Sequence, residues 1–206
     1  MADSKNEVKL ESEESKDLQT QGEKIVMDHV GFSMVAGAIP FPIVDIVAVT
    51  AIQVDMLKQL ARTYGIDFNL ERGKSLASSI MGATVGSLLG RAGASALKAV
   101  PGVGTILGIG SQVIFAGAST FALGKVFQSH FEENGTLLSI DLEEMKKQFE
   151  SFFNKGKEIA KNLKGKQRKD EVLETIEKLK DLKDKGVITE KEFESTKKEL
   201  LEKIAE

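Results

Sequence analysis

Cysteine is absent from this chain of 206 residues, which excludes disulfides and any thiolate metal site. Tryptophan is also missing, and aromatics make up 6% of the residues. Runs of alternating β-branched and aromatic residues, the mark of strands, are correspondingly poor. Histidine occurs twice, at His29 and His130, with no HExxH spacing; surface or helix-end positions are expected for both rather than metal ligation. There are three prolines, Pro40, Pro42 and Pro101. Long stretches are therefore free to be helical, and the expected fold class is all-α.

Charge of one sign is lacking overall, the net being −3, but its placement is uneven. Residues 1–24 hold four Lys and seven Asp/Glu, residues 25–134 seven of each sign, and residues 135–206 seventeen of each. A charge-poor apolar block thus lies between two charged ends. Four segments are expected: an acidic disordered tail over 1–19, an apolar helical domain over 20–134, an amphipathic basic helix or linker over 135–169, and a helical hairpin over 170–206. The acidic start has none of the basic and apolar regions of a cleaved secretory signal.

Thr20 with Glu23 fits a capping box that starts a helix ending near Ala38. Pro40 and Pro42 interrupt it, and Pro42 suits the first turn of a second helix that stops at Gly65. The stretch is predicted to be a proline-cornered apolar hairpin in which Asp45, Gln53 and Asp55 are the polar exceptions. Asp45 falls in a first turn, where free amides favour an anion. A third helix begins after Asp67 or Asn69. Gly82, Gly86, Gly90 and Ala94 recur at every fourth position on it, forming a glycine zipper expected to pack against a fourth helix through Gly104 and Gly108.

Residues 102–124 carry no charged side chain. As a helix of 23 residues this run covers about 34 Å, enough for a hydrocarbon layer of about 30 Å. A transmembrane hairpin built from the third and fourth helices is the expectation, and a soluble helical bundle that inserts conditionally, as pore-forming or membrane-remodelling proteins do, is the alternative. Further on, Phe149, Phe152 and Phe153 share a helical face, and Lys155, Lys157, Lys161 and Lys164 belong to a segment of net charge +6 over 155–169. Aromatic and basic residues in that arrangement suit an anionic membrane surface. The charged ends are expected on the cytoplasmic side.

Motifs for chemistry fail on spacing. Gly73-Lys74-Ser75 resembles the end of a P-loop, but Phe68 stands where its first glycine belongs, and no strand precedes it. Gly102-Val-Gly104 lacks the third glycine of a dinucleotide fingerprint, with Leu107 in its place. No catalytic, cofactor-binding or metal residue, no small-molecule substrate and no nucleic-acid partner is expected.

The ordered set Ile39-Pro-Phe-Pro-Ile-Val-Asp45, Thr50-Ala-Ile-Gln53-x-x-Met56-Leu57, Leu60-Ala61-x-x-Tyr64-Gly65, Glu71-Arg72 and Val100-Pro-Gly-Val-Gly104 resembles the YcjF-type GTPase-associated family of unknown function. The resemblance spans about residues 25–131. It implies membrane association and, since no GTPase domain is present here, a separate GTPase or membrane-stress partner. Leu182-x-x-x-Gly186-Val-Ile-Thr189-x-x-Glu192-Phe193 resembles the short C-terminal helical module called SHOCT, over about residues 170–204. That module implies self-association or recruitment of a protein partner. The combined expectation is a non-enzymatic, membrane-associated interaction or scaffold protein.

Overall fold

The structure, a computed structural model, describes the backbone of residues 2–38, 42–92, 109–164 and 169–205, and side chains over 13–38, 47–82, 112–164 and 172–202. Seven helices and no strand occur among these residues: α1 (Ala2–Ala36), α2 (Pro42–Thr63), α3 (Leu70–Ala92), α4 (Ile109–Glu132), α5 (Leu142–Leu163), α6 (Lys169–Asp184) and α7 (Glu190–Ala205). The first five form a bundle around α4, and α6 and α7 form a hairpin laid against α1 and α2.

Local chemistry explains most of the ends. Pro42 opens α2, where its missing amide costs nothing. Gly65 and Gly186, at φ +68° and +73°, close α2 and α6. Left-handed backbone lets the amide of Ile66 reach Ala61 O and that of Val187 reach Leu182 O. Asn69 Oδ1 accepts from Arg72 N, and Asp141 Oδ1 accepts from the amides of Glu143 and Glu144. Before α7, Thr189 Oγ1 accepts from Glu192 N while Glu192 Oε2 accepts from Thr189 N, a complete capping box.

The first helix differs from expectation. It starts at Ala2 rather than Thr20, and Thr20 caps nothing: its hydroxyl donates to Lys16 O inside the helix. Side chains of other helices hold this segment by its carbonyls. Tyr64 donates to Leu18 O and Gln128 to Gln19 O. A methyl at Gly22 would lie 2.8 Å from both Tyr64 Oη and Gln128 Nε2, so a glycine there lets both reach the helix backbone. Burial pushes the Tyr64 phenol up to about 12, with Gln128 opposing and Glu132 adding to the shift.

The fourth helix also departs from expectation. No described helix is long and apolar enough to cross a membrane. None of the residues from Gln112 to Phe131 is exposed, because α1, α2, α3 and α5 all pack on this helix. An uncharged helical stretch must be enclosed either by lipid or by protein, and from Gln112 to Gly124 α4 is enclosed by protein. Its glycines serve that packing. A methyl at Gly117 would lie 2.7 Å from Met34 Cγ and 3.1 Å from Ala160 Cβ, and one at Gly124 would lie 2.7 Å from a Val26 methyl.

The core falls into two clusters. One, around Phe127, Phe149, Met34, Met56 and Leu123, contains no residue of α6 or α7. The other joins Val35, Ala48, Val49 and Ile52 to Leu179, Leu182, Ile188 and Phe193 of the terminal hairpin.

Candidate functional site: a buried ionic junction beside a basic end

Asp55 projects from the middle of α2 and is only 4% exposed. Three elements supply donors to its Oδ2. His29 Nε2 of α1 lies at 3.1 Å, Gln59 Nε2, one turn along α2, lies at 2.7 Å, and Lys178 Nζ of α6 forms an ion pair with it. His29 Nδ1 donates to Ile25 O at 2.7 Å, so both ring nitrogens meet oxygen acceptors. Burial disfavours the Asp55 charge, but the hydrogen bonds from His29 and Lys178 and the charge on Lys178 outweigh it. The carboxyl is held well below the usual carboxylate range.

A pH dependence follows. In the unfolded chain Asp55 titrates near the ordinary value of 3.8, so between there and its lower folded value only the unfolded state takes up a proton. Its contribution to stability is therefore complete above about pH 5 and is lost as pH falls below about 4. Urea unfolding from pH 6 to pH 2 is expected to show this loss, and Asp55→Asn to flatten it. Equal pH slopes for the two proteins would remove Asp55 from the account.

The second buried polar group is Gln53, fully enclosed. Its amide donates to Ser119 Oγ at 3.3 Å and Thr120 Oγ1 at 3.0 Å, and Thr120 donates to Ser33. Gln53 Oε1 has no hydrogen-bond partner among the described residues. Gln53 thus joins α2 to α4 and, through Thr120 and Ser33, to α1, while Asp55 joins α2 to α1 and α6. The Asp45 side chain lies outside the described residues.

His29 was expected at the surface or at a helix end; it lies within α1 and is 2% exposed. Its position was legible in the periodicity of α1, since Gly22, Val26, His29, Ser33 and Ala36 all fall on the buried stripe. His130 is at a helix end as expected, donating from Nε2 to Thr136 O.

Of the zipper positions, Gly82 is exposed, and a methyl there would meet none of the described residues within 4 Å. Gly86 and Gly90 lie in α3, but their surroundings fall outside the described side chains, and Ala94, Gly104 and Gly108 lie outside the described residues.

The aromatic face of α5 turns inward. Phe149 and Phe153 are buried, Phe152 is half-buried against the same core, and Phe153 meets Phe115 edge to face. This takes the Phe149 and Phe153 rings out of contact with any surface in this conformation. The lysines stay outside: Lys155, Lys161 and Lys164 are exposed, and Lys155 and Lys157 lie over the rings of Phe152 and Phe153.

The bundle gathers these features at one end. Ala160 near the end of α5 and Met34 near the end of α1 meet across Gly117, and Gly37 approaches Ala116. The C-terminal ends of α1 and α5 and the first half of α4 are therefore neighbours. Lys161 and Lys164 follow Ala160 on α5 and are exposed near this end. Among the described residues no group of three or more His, Asp or Glu could hold a metal ion.

Comparison with known proteins agrees with the architecture. Residues 2–158 match the family described as a domain of unknown function, DUF697, and residues 174–201 match the Short C-terminal domain, SHOCT. Magnetosome membrane protein 22 of Magnetospirillum gryphiswaldense is 37% identical over 143 residues, which cover 69% of this chain and 73% of that protein. No solved structure matches. The bundle matched from α1 into α5, followed by the capped α6–α7 hairpin, places this chain in the DUF697 family, which is found in YcjF-like GTPase-associated proteins, with a SHOCT module at its C-terminal end.

Proposed function

We propose that this chain is a non-enzymatic, membrane-associated scaffold that meets an anionic bilayer with the end of the bundle where α1, α4 and α5 converge. The observation that carries this reading is the approach of Ala160, on the last turns of α5 that also carry the exposed Lys161 and Lys164, to Met34 in the uncharged end of α1 across Gly117. Basic side chains beside apolar surface are drawn to an acidic leaflet. The similar magnetosome protein is named as a membrane protein, which supports the same compartment for this chain. Its charged helices would then face the cytoplasm.

A scaffold fits the junction better than an enzyme does. All three donors to Asp55 Oδ2 come from the protein itself and tie α1, α2 and α6 together, so the carboxylate is used as a structural joint. The α6–α7 hairpin is the interaction module in this reading, with its recruited partner a separate GTPase or membrane-stress protein.

Sedimentation with vesicles tests the proposal. The full chain is expected to bind mixed phosphatidylglycerol and phosphatidylcholine vesicles at low salt and to dissociate as salt shortens the Debye length. Each surface lysine contributes about 1 kcal/mol at such a leaflet, so Lys161→Gln with Lys164→Gln should weaken binding about thirtyfold. Salt-independent binding, or an unaffected double variant, would sink it.

The burial of α4 favours a second reading, conditional insertion. From Gln112 to Gly124 the helix carries no charge and no exposed residue, so lipid in place of the surrounding protein would strand no charge there. Vesicle-dependent protection of α4 from protease is its expected sign, and α4 cleaved equally with and without vesicles would count against it.

A further inference from the structure

We propose that the α6–α7 hairpin is a removable cover over a lipid-binding flank of α1 and α2, so that its undocking gives the apolar layer of a bilayer access to that flank. The inference rests on the membrane reading above and adds the surface involved and its regulation.

The flank is formed by Phe32 and Val35 of α1 and by Val47, Ala48, Val49 and Ile52 of α2. No described side chain from Gly31 to Ala38 or from Val47 to Val54 is charged. Apolar surface of this kind does not stay bare in water, and here Leu179, Leu182 and Phe193 of the hairpin cover it.

Three features make the cover separable. The main core cluster contains no residue of α6 or α7, so the five-helix bundle keeps its interior when the hairpin leaves. The hairpin follows the five-helix bundle in the sequence as a pair of helices packed on each other. A crevice of about 190 Å³ opens along the seam, lined by Val47, Ala51, Val54, Lys74, Val187 and Ile188 among others, so the seam is not sealed along its whole length. A fastening also exists, the ion pair of Lys178 with Asp55. Asp55 keeps His29 and Gln59 as partners when Lys178 withdraws, so opening does not strand the carboxylate.

The occupant is lipid rather than a second copy because of where the flank lies. Val35 and Ala36 follow Met34, which meets Ala160 of α5 across Gly117, and the exposed Lys161 and Lys164 lie on the same last turns of α5 as Ala160. Uncovering therefore joins an apolar surface to a basic one at a single end of the molecule, the combination that seats a protein in an anionic leaflet. Lysines attract the headgroups without the flank, whereas the flank binds acyl chains without needing lipid charge. This separates the two contributions.

Since the chain has no cysteine, an introduced pair can lock the cover. Ala51→Cys with Ile188→Cys places one thiol on each side of the crevice. Binding of the full chain to vesicles of phosphatidylcholine alone, which offer no net charge, is the readout, and hydrogen exchange in α6 and α7 reports opening. Lys178→Gln is expected to speed that exchange and raise binding to neutral vesicles at least tenfold over the unmodified chain. Leu179→Ala, which loosens an apolar contact instead of the ion pair, should give the same gain. Oxidation of the cysteine pair placed in either variant should abolish the gain, and reduction should restore it. Unchanged exchange in both variants overturns the cover. Faster exchange with no gain in neutral-vesicle binding overturns the lipid occupant, and dimers formed on opening without vesicles assign the flank to a second copy instead. Failure of the unmodified chain to bind anionic vesicles at low salt would overturn the membrane reading by itself, independently of the neutral-vesicle result.

Discussion

Replacing Asp55 with alanine is expected to lower the free energy of unfolding by about 3–5 kcal/mol, the cost of breaking a buried ion pair from one side. The carboxylate is 4% exposed and receives donors from α1, α2 and α6. Its removal leaves His29, itself 2% exposed, facing a void, and leaves Lys178 beside apolar neighbours without a counter-charge. Truncating the other side should cost less. Lys178 has 17% of its side chain exposed and comes from the terminal hairpin, so Lys178→Ala exposes Asp55 to water while His29 and Gln59 still hold it. Urea unfolding of both variants checks the order. A loss below about 1 kcal/mol for Asp55→Ala, the size expected of an exposed pair, would show that the junction is wet and contributes little.

Two glycine-to-alanine changes should act in opposite directions. At Gly156, on the face of α5 against α4, a methyl would lie 2.8 Å from Ala118 O and 3.0 Å from Ala118 Cα. Those are backbone atoms of the central helix and cannot turn aside as a side chain does, so α4 and α5 must separate. Overpacking of this kind costs about 1–3 kcal/mol. At Gly82 the same methyl meets none of the described residues within 4 Å on an exposed turn of α3, and alanine gains about 0.5–1 kcal/mol by restricting the unfolded chain. Thermal unfolding of the two variants should bracket the unmodified chain, Gly156→Ala below it and Gly82→Ala above. Destabilisation at Gly82 would instead reveal a contact on that face.

The contrast explains how the sequence can be read and misread. Spacing of small residues marks where helices could approach, but not whether one does. Gly82 fits the four-residue repeat and meets none of the described residues, its expected partners Gly104 and Gly108 lying outside them, whereas Gly37, Gly117, Gly124 and Gly156 belong to no single repeat and each receives a neighbouring helix. The uncharged stretch around α4 poses the same difficulty, because the chain shows that a helix needs apolar surroundings and not whether lipid or protein supplies them. The aromatic face of α5 was legible as a face; that α4 covers Phe149 and Phe153 was not.

Caps and breaks were decided locally. Pro42, Gly65, Asp141, Gly186 and the Thr189–Glu192 box set helix ends through bonds spanning at most five residues, so residue type and order are enough to place them. The start of α1 is the counterexample. Leu18 and Gln19 are held by Tyr64 and Gln128, partners 46 and 109 residues away. Nothing near position 20 signals that the helix extends beyond it.

The sequence by itself therefore determined an all-helical chain, the turns between its last helices, and the apolar faces that had to be covered, because each depends on backbone chemistry or periodicity within a few turns. Only the tertiary structure decided what covers each face: protein around α4, the chain's own hairpin over α1 and α2, and His29 and Lys178 on Asp55. The physical reason is that hydrophobic burial is non-directional. It requires that an apolar surface leave water without specifying its partner, and the partner is settled by close packing and by the few buried polar groups whose donors and acceptors must be matched.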